Sequence, residues 1–299
     1  MTNQGKSNIF AFLAVFLWST VATVFKLTLK ELSPEMLLFI SSLTSFLFFF
    51  VFSVFKGTAR YLLKSFRKKS YIYLISGFLN PFFYYLILFK SYSMLPASQA
   101  QPLNYTWGII LAFGSSVFLG KKLRPIHYIA LLLGFAGVFF IASKGNINIF
   151  QSTSITGIFL AIGSAFIWAG FWIFNMRFRE ENSVKLCLSF FWGTLFILIY
   201  IIAGNYFSFE SLSIKNILYC VYIGLFEMGV TFLFWHKALQ LTENPGFTSN
   251  IAYLSPFLSL FFIFLILKEN IHYTSLVGLV LITAGLFIQD RGKQREKSN

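Results

Sequence analysis

Ten residues of the chain are acidic, and only Glu227 falls well inside a long apolar run, Ile217 to Trp235. An ionised carboxylate near the middle of such a run costs about 2.5–3.5 kcal/mol on insertion scales, so acids at that depth are functional by default. A group that changes charge as water reaches or leaves it suits proton coupling or recognition of an ammonium substrate. A protonated glutamate tied to a neighbouring helix is the structural alternative. The stretch around it, Gly224 to Pro256, has a sibling at Gly77 to Gly108. Gly77, Leu86 and Lys90 align with Gly224, Leu233 and Lys237, and Asn80 stands where the later copy has Glu227. After a one-residue slip, Tyr105, Phe113, Ala136 and Gly137 align with Tyr253, Phe261, Ala284 and Gly285.

Two polar faces lie downstream of these positions. Gln99, Gln101, Asn104 and Tyr105 form one, and Asn250, Tyr253 and Ser255 the other. Spacings of three to five put such residues on one side of a helix, and lipid is a poor environment for that side. Either a cavity or interhelical hydrogen bonds would accommodate them. Pro96, Pro102, Pro245 and Pro256 punctuate the same segments, interrupting backbone hydrogen bonding where a transporter exposes carbonyls or helix ends to substrate. Trp18 and Trp168 occupy matching places in the two copies, with Ala11 and Phe16 answered by Ala161 and Phe166. Both sit away from the interfacial belts, so each indole N–H needs a partner or water. They are read either as packing between copies or as the apolar wall of a cavity. Asn80, Gln101, Asn104, Tyr105, Glu227, Asn250, Tyr253 and the two tryptophans are the candidate substrate-binding residues.

The elements that must position them are membrane helices. The chain of 299 residues is 57% hydrophobic and 11% charged, with a mean hydropathy of +0.72; soluble domains carry about 25% charged residues. Runs of roughly 20 apolar residues cross a bilayer as helices. Five are expected near Ile9–Thr28, Met36–Phe55, Tyr71–Phe89, Ala97–Leu119 and Ile126–Ala142. Five more are expected near Ile155–Phe174, Leu186–Ala203, Ile217–Trp235, Phe247–Leu267 and Tyr273–Ile288. The fold class is thus all-α integral membrane, with ten transmembrane helices in two inverted five-helix repeats, residues 1–148 and 149–299. The polar stretch Lys144 to Ser154 joins them. On the sixth span Gly157, Ala161, Ala165 and Ala169 recur every fourth residue, a small-residue seam for close helix packing.

The net charge of +14 would suggest nucleic acid in a soluble protein. Here the basic residues sit in short connections and tails, and no nucleic-acid partner is expected. With the N-terminus in the cytoplasm, 18 of the 24 Lys and Arg fall on that side, which places both termini in the cytoplasm. The densest cluster, Ser65 to Lys69, is expected in a cytoplasmic loop where it can meet anionic lipid. Lys26, near the outer end of its helix, is expected to snorkel or to touch substrate.

With ten spans, an inverted repeat and little mass outside the membrane, the sequence resembles the drug/metabolite transporter superfamily and, within it, the EamA family. Trp18 to Lys26, WSTVATVFK, is similar to the family's opening helix, and the Pro-containing starts of the fourth and ninth spans resemble its most recognisable repeat feature. Glu269 fits the acidic position after the ninth span, while the first copy has Gly120 and Lys121 there; Glu269 is expected to end a helix near water. The resemblance implies a cytoplasmic-membrane secondary carrier of small organic metabolites, commonly an exporter of amino acids or related compounds. It also implies a central cavity between the halves. Uptake or exchange of a nucleotide-like or cofactor-like metabolite is the alternative within transport.

An enzyme is the reading from another class, and the motifs for it fail. Gly114 to Lys122 has the wrong spacing for a phosphate loop, and neither a zinc-protease nor a nucleophile-elbow motif occurs. His127, His236 and His272 are scattered, which leaves a membrane-embedded lipid-modifying enzyme without a reacting cluster. Cys187 and Cys220 are expected to be packed thiols. No cofactor or metal is expected; the partners are a small-molecule substrate, the lipid bilayer and, through Glu227, protons.

Overall fold

The computed structural model describes residues 2–119, 125–143, 154–175, 182–207, 212–243, 248 and 251–297. They are helical almost throughout. In chain order the helices are α1 Asn3–Thr28, α2 Pro34–Phe55, α3 Ala59–Gly77, α4 Tyr84–Met94, α5 Ala97–Asn104, α6 Trp107–Leu119 and α7 Pro125–Ser143. They continue as α8 Ile155–Asn175, α9 Asn182–Ala203, α10 Ile214–Phe226, α11 Val230–Leu241, α12 Ser255–Phe262 and α13 Tyr273–Lys297. Among the described residues six helical stretches are long and apolar enough to cross a membrane. Shorter apolar helices cover Tyr128–Ser143, Ala252–Leu267 and Tyr273–Ile288. The protein is a multi-pass membrane protein.

The starts follow local chemistry. Ser33 caps α2 by accepting from the Met36 N–H, with Pro34 in the first turn, and Ser213 caps α10 by accepting from the Asn216 N–H. Each satisfies one of the donors that a helix start leaves open.

Two segments depart from the expected boundaries. The basic cluster Ser65–Lys69 is not a loop. It belongs to α3, which begins at Ala59 and carries a non-helical residue at Lys69. Leu62 is buried and Phe66 stacks on Trp192, so an apolar stripe holds this helix against α9 while Arg60, Lys64, Arg67 and Lys68 stay exposed. The fourth expected span, Ala97–Leu119, is divided at Tyr105 and Thr106 into α5 and α6. Pro102 inside α5 has no N–H for the Ser98 carbonyl, and the helix gives way one turn later.

The spans carrying Asn80 and Glu227 are interrupted as well. Between α3 and α4 the residues Phe78–Phe83 wind as a π stretch with Asn80 in an extended conformation. Between α10 and α11 the helix stops at Phe226 and resumes at Val230. Glu227 is therefore not in the middle of a continuous helix.

Small residues set the closest approaches. An added methyl at Gly77 would strike the Ser189 carbonyl of α9, and one at Gly224 would lie 2.5 Å from the Ser41 carbonyl of α2. On α8, Gly157 faces Leu95, and its carbonyl accepts from the Ser91 hydroxyl at 3.0 Å; Ala161, Ala165 and Ala169 are buried with it. The small-residue seam thus serves packing against α4 and its neighbours. Gly137 of α7 and Gly278 of α13 meet backbone to backbone: a methyl on either would fall 2.6 or 2.5 Å from the other's carbonyl oxygen. The linker Lys144–Thr153 and Pro245 lie outside the described residues.

Candidate substrate cavity

The interruption at Glu227 frees main-chain carbonyls inside the membrane, where each must find a donor. Ser45 of α2 donates to the Gly224 carbonyl at 2.7 Å; one turn earlier, within α10, Ser41 adds a hydrogen bond to the Cys220 carbonyl at 3.0 Å. Thr231 donates back to the Phe226 carbonyl. The indole N–H of Trp18 reaches the Glu227 carbonyl at 3.4 Å. The mid-depth tryptophan thereby has the partner that its burial requires, and α1 is tied to the broken helix.

The Glu227 side chain receives one hydrogen bond, from the Tyr85 hydroxyl to Oε1 at 3.0 Å. No other partner reaches the carboxylate among the described residues, and no Lys, Arg or His pairs with it. A lone acid with a phenol for company is expensive to hold in a low-dielectric setting unless a proton or a cation joins it.

Beside it lies a cavity of about 160 Å³. Its walls come from both parts of the chain: Trp18, Ala22 and Phe25 of α1, Tyr84, Leu88 and Tyr92 of α4, Gln101 and Asn104 of α5, with Tyr105 and Trp107 beyond it. Trp168 and Trp172 of α8, Glu227, Phe232 and Trp235 of α11, and Ala252 complete it. The aromatic wall is continuous. Trp18 meets Trp235 at 5.7 Å and Phe232 at 6.1 Å, Phe232 meets Trp168 at 6.3 Å, and Trp168 stacks on Tyr84 at 4.6 Å between ring centroids. Polar groups are few and differ in availability. Asn104 is occupied on both ends, donating to the Ser164 hydroxyl at 2.9 Å and accepting from Tyr84 at 3.2 Å. By contrast, Gln101 Oε1 and Trp172 Nε1 are buried with no hydrogen-bond partner among the described residues.

Six of the nine sequence candidates meet here: Trp18, Gln101, Asn104, Tyr105, Trp168 and Glu227. Asn80 does not. Its extended conformation and the π winding turn it out of the cavity, where it is buried without a partner for Oδ1 among the described residues, and the next residue, Pro81, presses on Gly193 of α9. Tyr253 also falls outside. Ala252–Leu254 forms a 3-10 turn, whose tighter winding rotates the face expected of an α-helix; Ala252 meets the cavity, and the Tyr253 hydroxyl donates to the Leu286 carbonyl at 3.4 Å. Asn250 lies outside the described residues.

Sequence reasoning missed Tyr84, Tyr85, Tyr92, Phe232 and Trp235. The signal was present: Tyr85 and Phe232 correspond at the offset that aligns Asn80 with Glu227. Lys26 neither snorkels nor reaches the cavity. Its ammonium donates to the carbonyls of Tyr92 and Leu95, both at 2.7 Å, closing the C-terminal end of α4. Glu269 does not simply end a helix. Lys268 takes a left-handed conformation, φ 53°, and the following carboxylate accepts from the N–H groups of Ala97 and Ser98 at 3.2 and 3.1 Å. The turn between α4 and α5 is held by a cation on its carbonyl side and an anion on its N–H side.

A family model described as the EamA-like transporter family matches residues 5–143 and 155–289. The chain is similar to an uncharacterized transporter of Archaeoglobus fulgidus, 22% identical over 95% of this chain and 97% of that one. It is also similar to a protein of Ancylobacter novellus named as an aromatic amino acid exporter, 24% identical over 62% of this chain and 65% of that one. A solved crystal structure superposes with a TM-score of 0.68 over 97% of this chain and 98% of the other at 19% identity, which speaks to the fold.

Proposed function

The chain belongs to the EamA-like transporter family, and from that premise we propose that it is a cytoplasmic-membrane secondary transporter exporting amino acids or related small organic compounds by alternating access. The observation that carries the reading is the cavity itself: residues from both parts of the chain meet around Glu227 at a helix interruption, the arrangement used by carriers that bind substrate between repeats. Ten spans in two inverted repeats, 1–148 and 149–299, fit the packing. α3 sits on α9 through Gly77 as α10 sits on α2 through Gly224, and the two glycines are repeat counterparts. Alternating access fits the uneven closure of the cavity: Phe25, Leu88 and Tyr92 are buried, while Trp18, Trp107, Trp172 and Trp235 are part-exposed.

The aromatic walls suit an amino acid with an apolar or aromatic side chain, and the relative named as an aromatic amino acid exporter supports that class. A nucleotide-like cargo is disfavoured, because among the described residues no Lys or Arg lines the cavity to meet phosphate. Glu227 is the candidate for proton coupling.

The test is transport by the reconstituted chain under an imposed pH gradient. Glu227→Gln keeps the shape and the hydrogen bond from Tyr85 but cannot titrate. It is expected to express normally and to lose most transport or its pH dependence; full activity with the parent pH profile would remove Glu227 from the mechanism. Absence of movement for every amino acid and amine tried would sink the carrier reading.

A further inference from the structure

Away from the central cavity a separate hollow opens on the surface of the bundle, where α2 and the start of α3 part over α9. Its volume is about 280 Å³ and its lining is apolar. Leu62 and Leu188 are buried in its floor, and Phe50 and Leu63, 45% and 56% exposed, form its rims. Phe191 closes one end, meeting Phe46 at 5.7 Å and Phe66 at 5.8 Å between ring centroids. Water in this groove would find almost no polar partner, so hydrocarbon is the occupant that the lining fits.

The rim on α3 is charged as well as apolar. Leu63 stands three residues after Arg60 and four before Arg67, spacings that make neighbours on one helix face, and α3 keeps its helical conformation from Ala59 until Lys69. Both arginines are exposed. Among the described residues no carboxylate pairs with either of them, nor with Lys64 or Lys68. A guanidinium grips phosphate oxygens at two points, and basic residues clustered beside a membrane helix attract anionic headgroups. A second copy of the chain is a poor occupant, because a twofold contact would set the same patch against itself, arginine facing arginine.

We infer that the groove holds one acyl chain of an anionic phospholipid, whose phosphate is bound at the rim by Arg60 and Arg67, with Lys64 and Lys68 adding to the positive field. This requires only that the chain spans a membrane, so it stands or falls separately from the cargo of the central cavity.

The test is native mass spectrometry of the full chain in dodecyl maltoside with equimolar dioleoyl phosphatidylglycerol and dioleoyl phosphatidylcholine, which share their chains and differ in net charge. The parent is expected to hold phosphatidylglycerol about tenfold more tightly. Arg60→Gln with Arg67→Gln should bring the two lipids to within about threefold of each other. Lys293→Gln with Lys297→Gln, an equal change in net charge near the C-terminal end, should leave the parent ratio unchanged. Ala59 also lines the groove; Ala59→Trp fills it while leaving the cations in place, and should weaken phosphatidylglycerol about tenfold. Variants are compared where their thermal midpoints match the parent's, and the arginine pair and Ala59→Trp each test the site alone. Equal retention of both lipids by the parent overturns the inference, as does an arginine pair that keeps the full preference or a tail pair that loses it. Undiminished binding to Ala59→Trp would put the acyl chain elsewhere and overturn the site.

Discussion

Trp18 on α1 donates its indole N–H to the main-chain carbonyl of Glu227, 3.4 Å away. The residue that supplies the charge in the cavity and the residue that forms its wall are therefore one mechanical unit. Trp18→Phe keeps a ring against Phe232 and Trp235 but leaves that carbonyl without its donor. It is expected to lower stability in detergent by about 1 kcal/mol, and to reduce transport by more than Phe16→Leu, whose side chain is exposed. A thermal midpoint equal to the parent's would show that the contact contributes nothing.

Glycine positions should divide cleanly into two groups. Gly77→Ala and Gly224→Ala place a methyl against the main chains of α9 and α2, and each is expected to cost about 1–3 kcal/mol. Gly163→Ala on α8 meets nothing within 4 Å and should gain up to about 1 kcal/mol from helix propensity. Thermal unfolding of the three purified variants ranks them. Gly77→Ala as stable as Gly163→Ala would contradict the packing.

The turn between α4 and α5 should fail from either side. Lys26→Met removes the donor to two carbonyls and is expected to cost about 2 kcal/mol, and Glu269→Ala to cost about the same by exposing two N–H groups. Glu269→Gln retains an acceptor and should lose less. The order is read from thermal midpoints, and a Glu269→Gln as damaging as Glu269→Ala would point to charge rather than hydrogen bonding.

Orientation is checked by chemistry on the intact cell. With Cys187 and Cys220 replaced, Arg67→Cys on α3 and Asn205→Cys after α9 are single exposed thiols. An impermeant maleimide should label Asn205→Cys and leave Arg67→Cys untouched, since 18 of the 24 basic residues were assigned to the cytoplasmic side. The reverse pattern would invert the topology.

Much of the lining of the candidate cavity could be read from residue types alone, for physical reasons. Glu227 and the two mid-depth tryptophans are costly in lipid, so cost itself marked them. Gln101 and Asn104 share a face because helical spacing holds through α5, and Tyr105, its C-cap, keeps a helical conformation. The reading broke where the backbone leaves the α-helix. Asn80 was placed by its alignment with Glu227 and Tyr253 by helical spacing, and a π stretch and a 3-10 turn do not keep the α-helical register that both readings assume. Lys26 and Glu269 were read as solitary charges because their partners are main-chain groups more than sixty residues away, which no local pattern displays. The tyrosines of α4 were lost among forty-one phenylalanines, since aromatic residues are unremarkable in a chain of this composition.

Gly137 and Gly278 bring α7 and α13 to main-chain contact, and Ile141 and Ile282 fill the space that their missing side chains leave. Helices joined this way can tilt on one another, but sliding would drive an isoleucine into a carbonyl. Under the alternating-access proposal, the pair is expected to act as a fulcrum. Any rocking of one half of the chain against the other is expected to be smallest here and to grow with distance from it, so that a few degrees at the glycines become the ångströms needed to uncover the aromatic walls.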